Sequence, residues 1–465
     1  MVGSGMASLT PQNKPHLSTE PVTFVIEALG LTVGGGKELA LDLLSRLPQF
    51  PGRRFVLFVP DLPDYRSLAA SNVRCICCAG PRNVVSRSSA LERTLPRICA
   101  EHHADALLCL GNFAPGSAPC PTAVLIQNAY LAYQEPVAEK RLSLRERLIV
   151  AYGRHALRKF GQCARVIVQT PVMRKRLLSV PGCSLDPLRI AVIPNPCASS
   201  TIVFSRSGFD KPRAPLGEEL AHVASRASGS PGNMTVKNHA RRHASANPKF
   251  QRPCPDGVRP FTFLCLTRYY AHKNLEVLPE AVIELASLTS QPFKCIITIS
   301  PDQHPNAARL LRRIRKEGLG QILVNEGPVG RDALSRAYCA ADALILPTLL
   351  ESCTRTYSEA MRYNLPILTS DRDFAYYLCG DAALYFDPLH PASIAKNMAA
   401  IMANHELRRQ LTANGRRILA ALPGWDEVAA QFVAVLEQTA EESYPPSMTR
   451  MMLPNRQRDR SKSHL

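Results

Sequence analysis

The sequence predicts an α/β chain of two doubly wound, parallel-sheet domains facing a cleft. Three observations point there: short aliphatic runs alternate with longer helical patterns, the alternation falls into two blocks, and a polar basic stretch separates them. Short runs apolar on both faces mark parallel strands, because helices cover both sides of such a sheet. In the first block Val22 to Ala28, Arg54 to Val59, Val73 to Cys78, Ala106 to Leu110, Ala123 to Gln127, Arg165 to Gln169 and Arg189 to Ile193 read as strands. In the second, Phe261 to Leu266, Cys295 to Ile299, Ile322 to Asn325, Ala343 to Leu346, Pro366 to Leu368 and Ala383 to Phe386 do so. The expected organisation is a Rossmann-like domain over 21–197, an insert over 198–258, a second Rossmann-like domain over 259–420, a closing helix over 421–441, and polar ends at 1–20 and 442–465. The insert lacks an apolar period and carries nine Lys or Arg against four Asp or Glu. Such a segment buries too little apolar surface to offset its ordering entropy, so it and both ends are expected to be disordered.

Composition narrows the function. At 465 residues each block is long enough for its own core. With 56 Lys and Arg against 38 Asp and Glu, the net charge of +18 calls for anionic partners. Nucleic acid is a poor fit, since no aromatic-interleaved basic groove or nucleic-acid-binding motif is present. No stretch of apolar residues is long enough to span a bilayer, and the first twenty residues hold no signal-peptide core. The expected location is therefore the cytoplasm, with peripheral contact at the inner face of its membrane as an extension. That extension comes from Lys140, Arg141, Arg145, Arg147, Arg154, Arg158 and Lys159, interleaved with Leu142, Leu144, Leu148, Ile149, Val150, Ala156 and Leu157 in a roughly helical pattern. The stretch 140–159 reads either as an ordinary amphipathic surface helix or as one lying on an anionic membrane surface. Fifteen cysteines, an odd number spread through strands and helices, read as reduced thiols. Cys75, Cys77 and Cys78 share one strand-like run without a second ligand pair, so no metal site is expected.

Candidate site residues cluster where strand patterns meet helical ones. Glu351 and Glu359 stand after the run Ala343 to Leu346 and open a helical pattern. In open parallel sheets ligands bind beyond the carboxyl ends of the strands, where a loop offers acceptors to hydroxyls and the next helix offers its positive N-terminus to phosphate. Upstream, Phe261 to Leu266 ends in a loop holding Arg268 and Lys273. A guanidinium and an ammonium on one loop suit a diphosphate. The turn Gly34-Gly35-Gly36 after the first strand reads either as a plain turn or as bare amides that receive a phosphate. It is neither a Walker loop nor a GxGxxG dinucleotide fingerprint.

The segments Leu266-Thr267-Arg268 through Lys273-Asn274, Ala343 to Thr348, Glu351 to Glu359 and Pro366 to Ser370 resemble the donor half of the retaining glycosyltransferases of family 4, within glycosyl transferases group 1. The resemblance spans roughly residues 21 to 440 apart from the insert, and Arg-x4-Lys followed by Glu-x7-Glu is its most specific part. It implies the GT-B fold, two Rossmann-like domains with acceptor and donor sites facing one cleft. It further implies transfer of a sugar from a nucleotide-diphosphate-sugar donor to a glycan, lipid-linked saccharide or similar hydroxyl acceptor, without a metal or other cofactor. By that resemblance Arg268, Lys273 and Glu351 are catalytic, the first two meeting the departing diphosphate and Glu351 holding sugar hydroxyls. Glu359 would hold the nucleotide's ribose, with Gly35, Gly36, Thr354, Arg355 and Thr356 lining the donor. Two departures stand out: the family commonly has glycine where Thr354 stands, and often a histidine where this chain has Gln127 and Asn128. An amide there can orient a sugar but not take its proton, and loop anchoring is an equal reading. Three rivals remain open: a glycosidase, which also uses two carboxylates, a GT-B nucleotide-sugar epimerase, and a non-catalytic membrane-associated scaffold.

Overall fold

The computed structural model describes residues 21–79, 84–157, 165–196 and 259–442. The expected disordered segments 1–20 and 198–258, the tail from 443, and Arg158 and Lys159 lie outside the described residues. Strands β1 (Val22–Glu27), β2 (Arg53–Pro60), β3 (Val73–Cys78), β4 (Ala106–Cys109), β5 (Thr122–Leu125), β6 (Arg165–Val168) and β7 (Ile190–Val192) form one parallel sheet in the order β3-β2-β1-β4-β5-β6-β7. Strands β8 (Phe261–Cys265), β9 (Phe293–Ile297), β10 (Leu323–Asn325), β11 (Ala343–Leu346), β12 (Ile367–Ser370) and β13 (Ala383–Phe386) form a second, β10-β9-β8-β11-β12-β13. All pairings within the two sheets are parallel, so the two doubly wound domains read from the sequence are present. Val25, Leu107, Val124 and Val166 in one sheet and Phe263, Leu344, Ile345 and Leu368 in the other are fully buried, which is why these runs show no polar alternation.

Each sheet reverses its strand order once, between β1 and β4 and between β8 and β11. A crevice opens there because the flanking crossovers leave to opposite faces. The loops after β1, β4 and β5 come from the first reversal and its neighbour, and those after β8 and β11 from the second. Helix α1 (Gly34–Leu44) follows β1 and buries Leu39, Ala40, Leu43 and Leu44. Its first residue, Gly34, has φ of +74°, the left-handed region in which a side chain is strained, and a Cβ there would also meet the Tyr270 hydroxyl at 3.0 Å.

The basic stretch is not one helix. It breaks between Pro136–Lys140 and α2 (Leu144–Leu157). The break is a capping box: the Ser143 amide and hydroxyl donate to Glu146 Oε2 at 2.8 and 2.7 Å, and the Glu146 amide donates back to Ser143 Oγ at 3.3 Å. Nor do its cations share one face. Arg141 turns to Asn274 Oδ1 (2.7 Å) and Glu276 (3.1 Å) of the second domain, and Arg154 donates to the carbonyls of Tyr130 and Tyr133.

Two further helices position the site. In α3 (Arg355–Arg362) the buried Tyr357, Ala360 and Met361, at i, i+3 and i+4, face the second core. The last helix, α4 (Trp425–Glu441), crosses back. Its Trp425, Val428, Ala429, Phe432, Val433 and Leu436 join Phe24, Leu108 and Leu125 in the core of the first domain. Each of the larger of these buried side chains stabilises by roughly 1.5–3 kcal/mol, enough to strap the second domain to the first. Leu349 and Leu350 of the loop after β11 pack into the other core of the first domain with Tyr130 and Tyr133, so the cleft is held from its floor as well. Cys75, Cys77 and Cys78 are thiols along β3, and among the described residues no three His, Cys, Asp or Glu side chains cluster as a metal site.

Candidate active site

The loops from the two strand-order reversals enclose a cavity of about 720 Å³ between the domains. Gly34, Gly35, Gly36, Gln127 and Asn128 line it from the first domain, and Arg268, Lys273, Glu351, Thr354, Arg355, Thr356 and Glu359 from the second. All the candidate site residues named from the sequence therefore line one space.

What joins the second domain's two loops is a backbone bond. The Leu349 amide donates to the His272 carbonyl at 2.7 Å, and the Thr348 hydroxyl reaches the same oxygen at 3.2 Å. The loop after β8 is thereby pinned on the loop after β11, which lays Lys273 beside Glu351. Asn274, at φ +55°, turns the chain away afterwards, a left-handed position that asparagine tolerates. Lys273 Nζ lies 2.5 Å from Glu351 Oε1, and Thr348 Oγ1 donates to the same oxygen at 2.9 Å. Both groups are buried, Lys273 to 9% and Glu351 to 8% exposure. Burial by itself raises the Glu351 carboxyl, but the Lys273 ammonium, His272 and the two hydrogen bonds outweigh it and hold the group below the usual carboxylate range. The sequence reading treats Lys273 and Glu351 as separate parts; the structure makes them one ion pair. Only Oε1 carries contacts among the described residues, which leaves Oε2 as an acceptor.

Arg268 stands differently. It is exposed at the cavity wall, on a loop fixed by the Thr267 amide donating to Thr298 (3.0 Å) and the Tyr269 amide to Gln303 (2.8 Å). Glu359 accepts from the Tyr338 hydroxyl at 2.7 Å and lies 3.9 Å from Arg355 Nε. Thr354 sits at φ −79°, which any residue adopts, and caps α3 by accepting from the Thr356 amide at 3.4 Å. No glycine is needed for that backbone. Arg355 reaches across the cleft to Asp42 of α1 at 2.9 Å, and Arg331 meets the same carboxylate at 3.3 Å.

On the opposite wall Gly35 has nothing within 4 Å of where a Cβ would stand, so its backbone is open to the cavity. Gln127 donates from Nε2 to the Leu110 carbonyl at 3.1 Å, and Asn128 caps a short 3-10 turn by accepting from the Tyr130 amide at 3.1 Å. Both amides anchor loops; Gln127 Oε1 alone remains near the glycine turn, 3.6 Å from a Cβ built on Gly36.

Sequence reasoning missed several lining residues. Asn195 donates to the Cys353 carbonyl at 2.9 Å and also accepts from Gln169, tying β7's exit to the second domain. His272 stacks on Tyr270 and meets Tyr130 edge-on, both at 5.5 Å between centroids. Burial pushes its imidazole down to about 4 and keeps it neutral, and Nδ1 has no hydrogen-bond partner among the described residues. Its place inside Arg268-x4-Lys273 was the available signal.

Residues 252–418 match the family described as glycosyl transferases group 1. No curated protein matches the chain. Solved structures of similar fold include sucrose-phosphate synthase from Thermosynechococcus elongatus, 17% identical, covering 90% of this chain and 98% of that one with a TM-score of 0.61. Anabaena HepE, solved with UDP and glucose, is 13% identical and covers 90% of this chain and all of its own, with a TM-score of 0.61. A glycosyltransferase from Rickettsia africae is 13% identical over 90% of this chain and 98% of that one, TM-score 0.58. The stretch that matches group 1 glycosyltransferases is thus the second domain, set in a chain with the two-domain GT-B fold.

Proposed function

We propose that the chain transfers a hexosyl unit from a nucleoside-diphosphate sugar to a hydroxyl of a glycan or lipid-linked saccharide, with retention at the anomeric carbon and without a metal. One observation carries the reading: Arg268, the Lys273–Glu351 pair, Glu359 and the N-terminus of α3 converge on a single interdomain cavity opposite the bare backbone of Gly35 and Gly36. The bond from the sugar's C1 to the diphosphate breaks as the acceptor oxygen bonds to C1 on the same face. The acceptor's proton passes to the departing phosphate oxygen. Negative charge grows on the diphosphate, where preorganised cations and amides contribute most. Arg268 supplies an exposed guanidinium, Arg355 the start of α3, with Thr354 and Thr356 lining the donor beside it, and Gly35 an amide from across the cleft. Lys273 polarises the same region while fixing Glu351, whose Oε2 takes sugar hydroxyls. Glu359 takes the ribose. Asp42 holds Arg355 at the rim, so closing the cleft and presenting a phosphate ligand are one event. Gln127 and Asn128 shape the acceptor's side without proton transfer. We place the enzyme in the cytoplasm.

UDP-glucose is the first donor to test, because HepE carries UDP and glucose. The expected result is donor turnover unaffected by EDTA, with an α-configured product. Glu359→Ala should weaken UDP binding by about tenfold, the value of one hydrogen bond to a charged group. A chain that binds no nucleotide or nucleoside-diphosphate sugar in a thermal-shift screen sinks the proposal.

A further inference from the structure

Helix α2 has two faces with different company. Glu146, Ile149 and Val150 line the interdomain cavity, and Val150, Gly153 and Leu157 are buried. Gly153 permits this seat, since a Cβ there would lie 2.5 Å from the Leu131 side chain. The outer face carries Leu144, Leu148 and Tyr152, exposed by 75, 63 and 50%. Spaced four apart, they follow one another along a single stripe. Arg145 borders the stripe on one side and Arg147 on the other, both exposed. Beside its first residue Ser143 lines a second cavity, about 470 Å³, whose wall includes Lys140, Arg141, Arg309 and Arg313. Lys140 and Arg145 make no ion pair among the described residues. A row of large apolar side chains flanked by cations, on a helix fixed by its other face, matches a surface that is apolar just below a layer of negative charge. Among the described residues no single helix is long and apolar enough to cross a membrane, so the contact is one of lying on it.

We propose that this outer face of α2 is a bilayer contact: Leu144, Leu148 and Tyr152 bed among the acyl chains of an anionic membrane, and Arg145 and Lys140 meet its headgroups, while Arg147 donates to the Leu142 and Lys140 carbonyls. The inner face of the same helix borders the cavity, so an acceptor carried by lipid would reach the site over one helix diameter. That last step rests on the glycosyl-transfer reading; the membrane contact does not, and it is measured without donor or acceptor.

The test is flotation of the full chain with phosphatidylcholine vesicles containing or lacking phosphatidylglycerol, at low salt. Wild type floats with the anionic vesicles and stays behind with the neutral ones. Leu144→Glu/Leu148→Glu lowers the bound-to-free ratio at least tenfold, roughly what two withdrawn leucines and two added negative charges take away. Arg145→Gln lowers it about fivefold, since one basic residue near a charged surface contributes on that order. Unchanged thermal unfolding shows that these exposed substitutions leave the fold intact. The proposal is overturned if wild type remains in the aqueous fraction, if it floats equally with neutral vesicles, or if the double variant floats like wild type. Self-association of the wild-type chain that the double variant abolishes assigns the stripe to a second copy, and overturns it too.

Discussion

The two walls of the cleft share one plan, loops from the strand-order reversal of a parallel sheet, yet carry opposite chemistry. Among the described residues lining the cavity, all four cations, Arg268, Lys273, Arg331 and Arg355, belong to the second domain. The first domain offers glycine amides, the side-chain amides of Asn112, Gln127, Asn128, Gln169 and Asn195, and the carboxylates of Glu38 and Glu146. A departing diphosphate can therefore be stabilised by charge from one wall only. The other wall approaches without cations, with backbone, side-chain amides and two carboxylates, which suit hydroxyl ligands. Substitutions should have large effects on the charged wall and small ones on the neutral wall.

The largest effect should come from Lys273→Ala, because it strips the partner from a buried carboxylate. Breaking such a pair typically destabilises by about 3–5 kcal/mol. Turnover should fall about 10²–10³-fold in addition, the usual loss for one preorganised donor at a growing negative charge. Arg268→Ala should lower turnover similarly while leaving stability within about 0.5 kcal/mol, as expected for an exposed side chain. Urea unfolding and steady-state kinetics on both variants separate the roles. Equal stability loss in the two would mean that the buried pair is no special brace, and near-normal rates in both would remove the charged wall from catalysis.

Next in size is a pH effect from His272. Free imidazole titrates near 6.5, whereas the folded chain holds this ring at about 4 because burial disfavours its charged form. Between those values the unfolded chain binds the proton and the folded one does not. Its contribution to stability is complete above pH 6.5 and is lost as pH falls towards 4, by roughly 2–3 kcal/mol. Comparing urea midpoints at pH 7 and pH 4.5, His272→Gln should show a shallower loss than wild type. Parallel losses would show that the ring is open to solvent and that this part of the wall is less dry than its packing against Tyr270 and Tyr130 implies.

How far the cleft could be read in advance also divides along its two walls. Arg268, Lys273, Glu351 and Glu359 were legible because charged residues at strand-to-helix crossings stand out against apolar runs. Their merger was not, since it depends on the Leu349 amide meeting the His272 carbonyl 77 positions earlier, and no local pattern records that bond. Asp42 gives no sign in the sequence of bridging to Arg331 and Arg355, because the contact exists only once the domains face each other. The break before α2 is a different case. Ser143-Leu-Arg-Glu146 is a complete capping box, and the basic run around it masked a helix start that was written in plain residues. Nothing comparable marks Asn195 or Gln169, neutral amides at strand exits that resemble any other turn residue.

The neutral wall supplies the smallest effect and the sharpest test of the contrast. Gln127 donates its amide to the Leu110 carbonyl, and both its own amide and that of Asn128 donate to Asn112 Oδ1, at 2.6 and 2.7 Å. These bonds hold the β4 and β5 exits together rather than reaching into the cavity. Gln127→Ala should therefore cost about 1 kcal/mol of stability, the net worth of one hydrogen bond, and change donor hydrolysis less than tenfold. Any kinetic effect should appear in the acceptor's KM, because Gln127 Oε1 sits by Gly36 and away from Lys273 and Arg268. A loss of donor turnover as large as that of Arg268→Ala would place a catalytic group on the first domain, and the division of labour between the walls would fail where it is most exposed to test.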